Sequence, residues 1–221
     1  MPGQRTGVAT ARLELQEMNG VKKRIAVLAS GRGSNFQAVL DAIQAGKVPA
    51  ACMALITDNP KAYAIERAEK SRVPVRIIDY ASFADRAGYE LALLAAMKES
   101  GADLFVLAGY MRILGSGIVR AFPDRIMNIH PALLPSFPGL HAQRQAVLHG
   151  VKVAGCTVHF VDECLDGGPI ILQACVPVME DDDEDALADR ILEREHECYP
   201  EAIRLFCEDR LVIEGRRVRI R

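Results

Sequence analysis

Arg24-Ile25-Ala26-Val27-Leu28-Ala29-Ser30 runs directly into Gly31-Arg32-Gly33-Ser34-Asn35, and this passage decides the fold. An apolar run of strand length without polar alternation suits a parallel strand covered on both faces. The glycine turn leads into a helical pattern, with Phe36, Val39, Leu40 and Ile43 at helical spacing and Gly46 as its stop. Strand, glycine turn and helix in that order open an α/β fold.

The alternation continues down the chain. Ala51 to Thr57 reads as a second strand, Ala62 to Lys70 as a short helix and Val75 to Asp79 as a third strand. Ser82 is expected to cap a longer helix carrying Tyr89, Leu93, Leu94 and Met97, stopped by Gly101. Asp103 to Ala108 and Ile126 to Ile129 complete five strands of a doubly wound, mostly parallel, Rossmann-like sheet. After residue 150 the pattern changes. Val153 to Val161 and Pro169 to Val178 are longer strands with a short connection, an antiparallel pair at a sheet edge. A long C-terminal helix from Glu184 to Cys207 follows, and the acidic run Glu180 to Asp183 complements its dipole. Leu211 to Ile213 and Arg216 to Ile220 form a small terminal hairpin turning at Gly215. The expected division is a disordered extension over residues 1–22, with Met18 a second candidate start, and one domain over 23–221.

Composition narrows the function. Half of the 221 residues are hydrophobic and a quarter charged, so a full core is expected. A formal net charge of −2 offers no broad nucleic-acid footprint, and the basic C-terminus (Arg216, Arg217, Arg219, Arg221) reads as a solvated strand. The six cysteines form no C-x-x-C pair, which suits reduced thiols and argues against a metal site. His196-Glu197-Cys198 lacks a second ligand pair at metal spacing. No segment approaches about 18 consecutive apolar residues, so neither a membrane span nor a secretory leader is expected, and the chain reads as cytoplasmic. The sequence leaves room for a homodimer without requiring one.

Three places carry chemistry. Asn128-Ile129-His130-Pro131 leaves a strand and continues through Ala132 to Gly139, a loop stiffened by Pro131, Pro135 and Pro138. Asn128 and His130, two apart on a strand, point to one face at the end of the sheet where α/β folds bind ligands. Gly31 to Asn35 precedes a helix N-terminus, where free N–H groups favour an anion. Phe36 stands where a dinucleotide fingerprint needs a small residue, and there is no G-K-[ST]; a phosphomonoester fits better than NAD or ATP. A tight turn with a capping serine is the structural alternative. Leu165-Asp166-Gly167-Gly168-Pro169 offers a carboxylate that would hold the tautomer of His130 and stabilise its imidazolium, although turn chemistry alone explains Asp-Gly. On the long helix, Glu195 falls on the apolar stripe of Leu187, Ile191, Cys198, Ala202 and Phe206. A carboxylate there is costly unless paired or facing a ligand, so an ion pair and a ribose both remain open. His159, inside an apolar strand, reads as a satisfied core histidine.

Together these motifs resemble the folate-dependent formyltransferases that act on glycinamide ribonucleotide. The likeness runs from about Arg24 to Ile213. It rests on Ala29 to Asn35, Leu107-Ala108-Gly109-Tyr110-Met111-Arg112-Ile113-Leu114, Asn128 to Gly139, Val158-His159-Phe160, Leu165 to Pro169, and Glu195-His196 with Tyr199-Pro200. The resemblance implies a catalytic trio of Asn128, His130 and Asp166. It implies that Gly33, Ser34 and Asn35 hold the nucleotide phosphate and that Glu195 holds its ribose. It assigns Arg86, Met111, Arg112, Ile113, Leu114 and Asn128 to the folate pocket, together with the loop Asp162, Glu163, Cys164, Leu165 and Asp166. N10-formyltetrahydrofolate would be the co-substrate, with no metal, and the amine of glycinamide ribonucleotide the acceptor. Ala132 stands where a serine is common, Cys164 is unusual in the folate loop, and the N-terminal extension has no counterpart. A formyltetrahydrofolate hydrolase would carry an N-terminal regulatory domain, and a methionyl-tRNA formyltransferase a basic C-terminal one. A non-catalytic phosphosugar or folate binder is the rival from another class.

Overall fold

The computed structural model describes residues 22–221, so the expected N-terminal extension falls almost entirely outside it. Nine strands form one sheet in the order β3-β2-β1-β4-β5-β6-β7-β9-β8. They are β1 Lys23–Leu28, β2 Ala50–Thr57, β3 Val75–Ile77, β4 Leu104–Leu107, β5 Ile126–His130, β6 Val153–Phe160, β7 Ile170–Pro177, β8 Leu211–Glu214 and β9 Arg217–Ile220. The helices are α1 Ser34–Gln44, α2 Ala64–Lys70, α3 Arg86–Glu99, α4 Ser116–Ala121, α5 Ala142–Leu148 and α6 Glu184–Cys207.

Strands β1 to β5 are parallel, and β6 and β7 follow antiparallel as expected. The terminal hairpin joins the sheet outside β7, where β9 runs parallel to β7 through Ile170 and Arg217. Strand order reverses between β1 and β4, which opens a crevice at their C-terminal ends.

The unbroken apolar run of β1 is explained by its two faces. Ile25, Val27 and Ala29 pack with Phe36 and Val39 of α1 and with Ile191 and Tyr199 of α6. Ala26 and Leu28 pack with Tyr89, Leu93 and Met97 of α3 and with Ile118 of α4. The five side chains from Ile25 to Ala29 are fully buried, each large one contributing roughly 1.5–3 kcal/mol by leaving water. Helix α6 runs on through Pro200. Next to that proline, the hydroxyl of Tyr199 lies 2.9 Å from the Leu107 carbonyl and 2.8 Å from that of Met127. It therefore ties α6 to the end of β4 and to the start of β5.

Two local expectations need correction. The cap of α3 is Asp85, whose Oδ1 accepts from the Gly88 amide at 2.8 Å. Ser82 instead closes a 3-10 turn, Tyr80–Ser82, and donates to the Asp79 carbonyl at 2.7 Å. Helices α4 and α5 occupy stretches for which the sequence had suggested no element.

Candidate active site

The ends of β1, β4 and β5 bring the glycine loop, the 108–115 loop and the Asn128–His130 strand end together. The Ser30 amide donates to the Gly109 carbonyl at 3.1 Å, and Ser30 Oγ accepts from the Met111 amide at 2.9 Å. Leu107 of β4 pairs in register with Asn128 of β5.

Gly33 takes φ +68°, a left-handed conformation that costs glycine little. A Cβ at this position would lie 2.8 Å from the Ala64 Cβ on α2, so the loop also needs glycine for space. Gly33 occupies the N-cap position and no side chain caps α1, so Ser34 starts the helix and does not cap it. Gln37 makes the first intrahelical bond, to Gly33, at 2.9 Å. The amides before it lack helical partners, as an anion site requires. Arg67 of α2 braces the loop from outside by donating to the Arg32 carbonyl at 2.9 Å.

Asn35 connects this loop to the far end of the chain. Its Nδ2 donates to Glu195 Oε2 at 2.7 Å. Glu195 is 7 % exposed, and burial raises its pKa above the ordinary carboxylate value, against the opposing bond from Asn35. Among the described residues the buried Oδ1 of Asn35 finds no donor. Of the two readings left open for Glu195, the ion pair is not seen among the described residues, where its partner is a neutral amide.

The His130 ring lies between two acceptors. Its Nε2 is 2.8 Å from the Phe137 carbonyl, and its Nδ1 is 3.5 Å from Asp166 Oδ2. Because a carbonyl only accepts, Nε2 carries a proton. Asp166 takes a left-handed φ of +50° and its Oδ2 also accepts from the Gly139 amide at 2.8 Å, which ties the Leu165–Gly168 turn to the proline loop. Gly168 permits this turn to close over β6, since a Cβ there would sit 1.9 Å from the Phe160 carbonyl. The pairing expected between His130 and Asp166 is therefore present in the fold.

The sequence did not reveal the supports behind this pair. In the antiparallel β5–β6 register, His159 stands opposite Asn128 and Thr157 opposite His130. His159 Nδ1 is 2.9 Å from the Phe160 carbonyl and so carries the proton. Its Nε2 must then accept from Asn128 Nδ2 at 3.2 Å, which orients the amide. Burial pushes the His159 pKa down and keeps the ring neutral. Thr157 Oγ1 donates to the Ala132 carbonyl at 2.6 Å and accepts from the Leu134 amide at 3.0 Å, clamping the proline loop. Gln173 adds a bond to the Leu134 carbonyl at 2.9 Å. The signal for these residues was a period-two pattern on β6 facing β5, readable only once the pairing register is known.

The remaining expected residues lie on two loops. Arg86 donates to the Ile113 carbonyl at 3.0 Å and pairs with Glu90 at 2.6 Å. Met111 and Ile113 are exposed, Leu114 packs against the core between α3 and β5, and Arg112 pairs with Asp58. In the second loop, Asp162 accepts from the Cys164 amide at 2.8 Å, Glu163 pairs with Arg120, and Cys164 and Leu165 are exposed. Two clefts of about 410 and 460 Å³ lie elsewhere, beside the terminal hairpin and between β7 and α6, and neither contains the His130–Asp166 pair. Among the described residues no helix is long and apolar enough to cross a membrane.

Comparison with known proteins finds relatives over most of the described residues. The profile of the formyl transferase family matches residues 23–203. The phosphoribosylglycinamide formyltransferase of Bacillus subtilis is 42% identical over 182 residues, 82% of this chain and 93% of that protein. The trifunctional purine biosynthetic protein adenosine-3 of Drosophila melanogaster is 46% identical over 184 residues, and there the chain spans 14% of the relative's length. A solved glycinamide ribonucleotide transformylase 1 from Symbiobacterium toebii superposes with a TM-score of 0.89 at 54% identity, over 91% of this chain and 95% of that one. The chain belongs to the formyl transferase family, among its phosphoribosylglycinamide formyltransferases.

Proposed function

We propose that this site moves the formyl group of N10-formyltetrahydrofolate to the amine of glycinamide ribonucleotide, a step of purine synthesis. The observation that carries the mechanism is the His130 ring held between the Phe137 carbonyl and Asp166. Two acceptors flank one ring, and only the imidazolium donates to both. A charged donor beside the Asn128 amide suits an oxyanion.

The amine attacks the formyl carbon, and the carbonyl oxygen takes up negative charge. Asn128 and His130 stabilise it, with the oxyanion competing with the Phe137 carbonyl for the Nε2 proton. The carbon–N10 bond then breaks, and the proton lost by the attacking nitrogen reaches N10 through Asp166, directly or through water. The amine is already a competent nucleophile, so no covalent enzyme intermediate is required. The uncapped α1 N-terminus with Gly33, Ser34 and Asn35 would take the phosphate, and Glu195 the ribose hydroxyls. Met111, Ile113 and Leu114, the 162–166 loop and Arg86 would hold the folate.

The test follows formylated nucleotide, tetrahydrofolate and free formate together. Stoichiometric formylated nucleotide is expected, whereas free formate in its place would make the chain a hydrolase. His130→Ala and Asp166→Ala should each lose roughly 10²–10⁴ in turnover while both KM values stay within a few-fold. Near-normal single-turnover rates in either variant would remove that residue from the mechanism.

A further inference from the structure

Asp58 directly follows β2 and lies outside every motif described above, yet its side chain is almost fully buried. Its Oδ2 accepts from Arg112 Nε at 2.9 Å, and its backbone carbonyl accepts from the Tyr80 amide at 3.3 Å. The Arg112 guanidinium lies 3.8 Å over the face of the Tyr80 ring. The edge of that ring meets Tyr89, with centroids 4.9 Å apart, and the Tyr89 hydroxyl bonds that of Tyr110. Tyr110 and Arg112 belong to the loop that presents Met111 and Ile113 to solvent. The loop is thus held by the Tyr110 hydroxyl, by the Met111 amide on Ser30, by the Arg112 side chain and by the Ile113 carbonyl on Arg86.

Two unmet demands point back to Asp58. Among the described residues its Oδ1 is buried without a donor. The tyrosine pair has two hydroxyl protons and one bond between them, so one proton is left over. Burial pushes both tyrosine pKa values up, and the charge of Asp58 adds to the effect. One water bridging the pair to Oδ1 would meet both demands.

We propose that Asp58 is a positioning residue for the folate loop, holding Arg112 against Tyr80 so that Met111 and Ile113 keep the form that receives the co-substrate. The proposal rests on the assignment of folate to that loop. It also changes the part played by Arg112, which serves inward as a strut where the sequence had suggested a pocket-lining side chain. A buried carboxylate keeps such a strut in one place because leaving either partner alone is costly.

The test uses the full chain and separates the KM for N10-formyltetrahydrofolate from kcat and from the KM for glycinamide ribonucleotide. Asp58→Asn is expected to raise the folate KM by roughly 2- to 30-fold, the usual range for a residue acting through a neighbour, with kcat and the nucleotide KM within twofold. Adding Arg112→Gln to Asp58→Asn should cost little more, because both substitutions break one contact. Should Asp58→Asn fail to fold, Tyr80→Leu removes the other side of the strut and is read in the same way. An unchanged folate KM in these variants, or equal losses in all three parameters, overturns the proposal. Met111→Ala and Ile113→Ala separate the two levels of inference. If they raise the folate KM and the strut variants do not, only the role of Asp58 falls; if they leave it unchanged, the folate assignment falls as well.

Discussion

Glu195, the proposed ribose contact, sits where a carboxylate costs stability. Its position on the apolar stripe of α6 was legible from spacing alone, and so was its need for a partner. Its partner was not, because Asn35 lies 160 residues away. Burial raises the Glu195 pKa, so the folded chain holds that proton more tightly than the unfolded chain. The stability of the protonated form is complete below the unfolded carboxyl value of about 4.3 and is lost as pH rises through the folded value. At neutral pH the burial of this carboxyl group therefore costs the fold stability. Glu195→Gln removes that charge and offers an N–H to the orphan Oδ1 of Asn35. It should stabilise the free protein at pH 7.5 by roughly 1 kcal/mol, with the gain shrinking as pH falls toward 4. The same substitution should raise the KM for glycinamide ribonucleotide. Denaturant titrations at the two pH values check the first part, and a loss of stability at pH 7.5 would contradict it.

Among the elements, legibility followed the length and regularity of the pattern. The buried strands β1, β2 and β4 and the long helix α6 stood out because apolar runs and stripes are local properties of the chain. Helices α4 and α5 span six and seven residues, too short for a full amphipathic repeat, and packing rather than propensity holds them. The docking of the terminal hairpin on β7 rests on a long-range register that no local pattern encodes. The start of α3 failed for a narrower reason: Ser82 and Asp85 are both good capping residues three positions apart, and a cap motif does not choose between them. The geometry chooses Asp85, so Asp85→Ala should cost about 1 kcal/mol. Ser82→Ala, which loses only an exposed bond to Asp79, should cost clearly less. Urea midpoints of the two variants distinguish them, and equal losses would contradict the assignment.

At the scale of the whole molecule, the proposed site draws on segments that are remote in sequence: Ser34–Asn35, Met111–Leu114, Asn128–His130, Asp162–Asp166 and Glu195. Each segment end is fixed by the sheet, and few contacts join them to one another directly apart from Asn35 with Glu195 and Asp166 with His130 and Gly139. A ligand touching several of them binds only the folded chain, so binding adds to global stability by mass action. At about 100 times its dissociation constant a ligand contributes roughly 2.7 kcal/mol. For a chain of this size each kcal/mol moves Tm by roughly 2–4 °C, so glycinamide ribonucleotide should raise Tm by roughly 5–10 °C. Ribose 5-phosphate, which carries the phosphate and hydroxyls without the amine-bearing arm, should give a smaller shift at the same concentration. In Glu195→Gln both shifts should shrink, although the free variant starts from a higher Tm. A thermal melt with and without each compound reads all of this. A nucleotide that leaves Tm unmoved at concentrations saturating turnover would mean that these segments are not its binding site, whatever the resemblance of the chain.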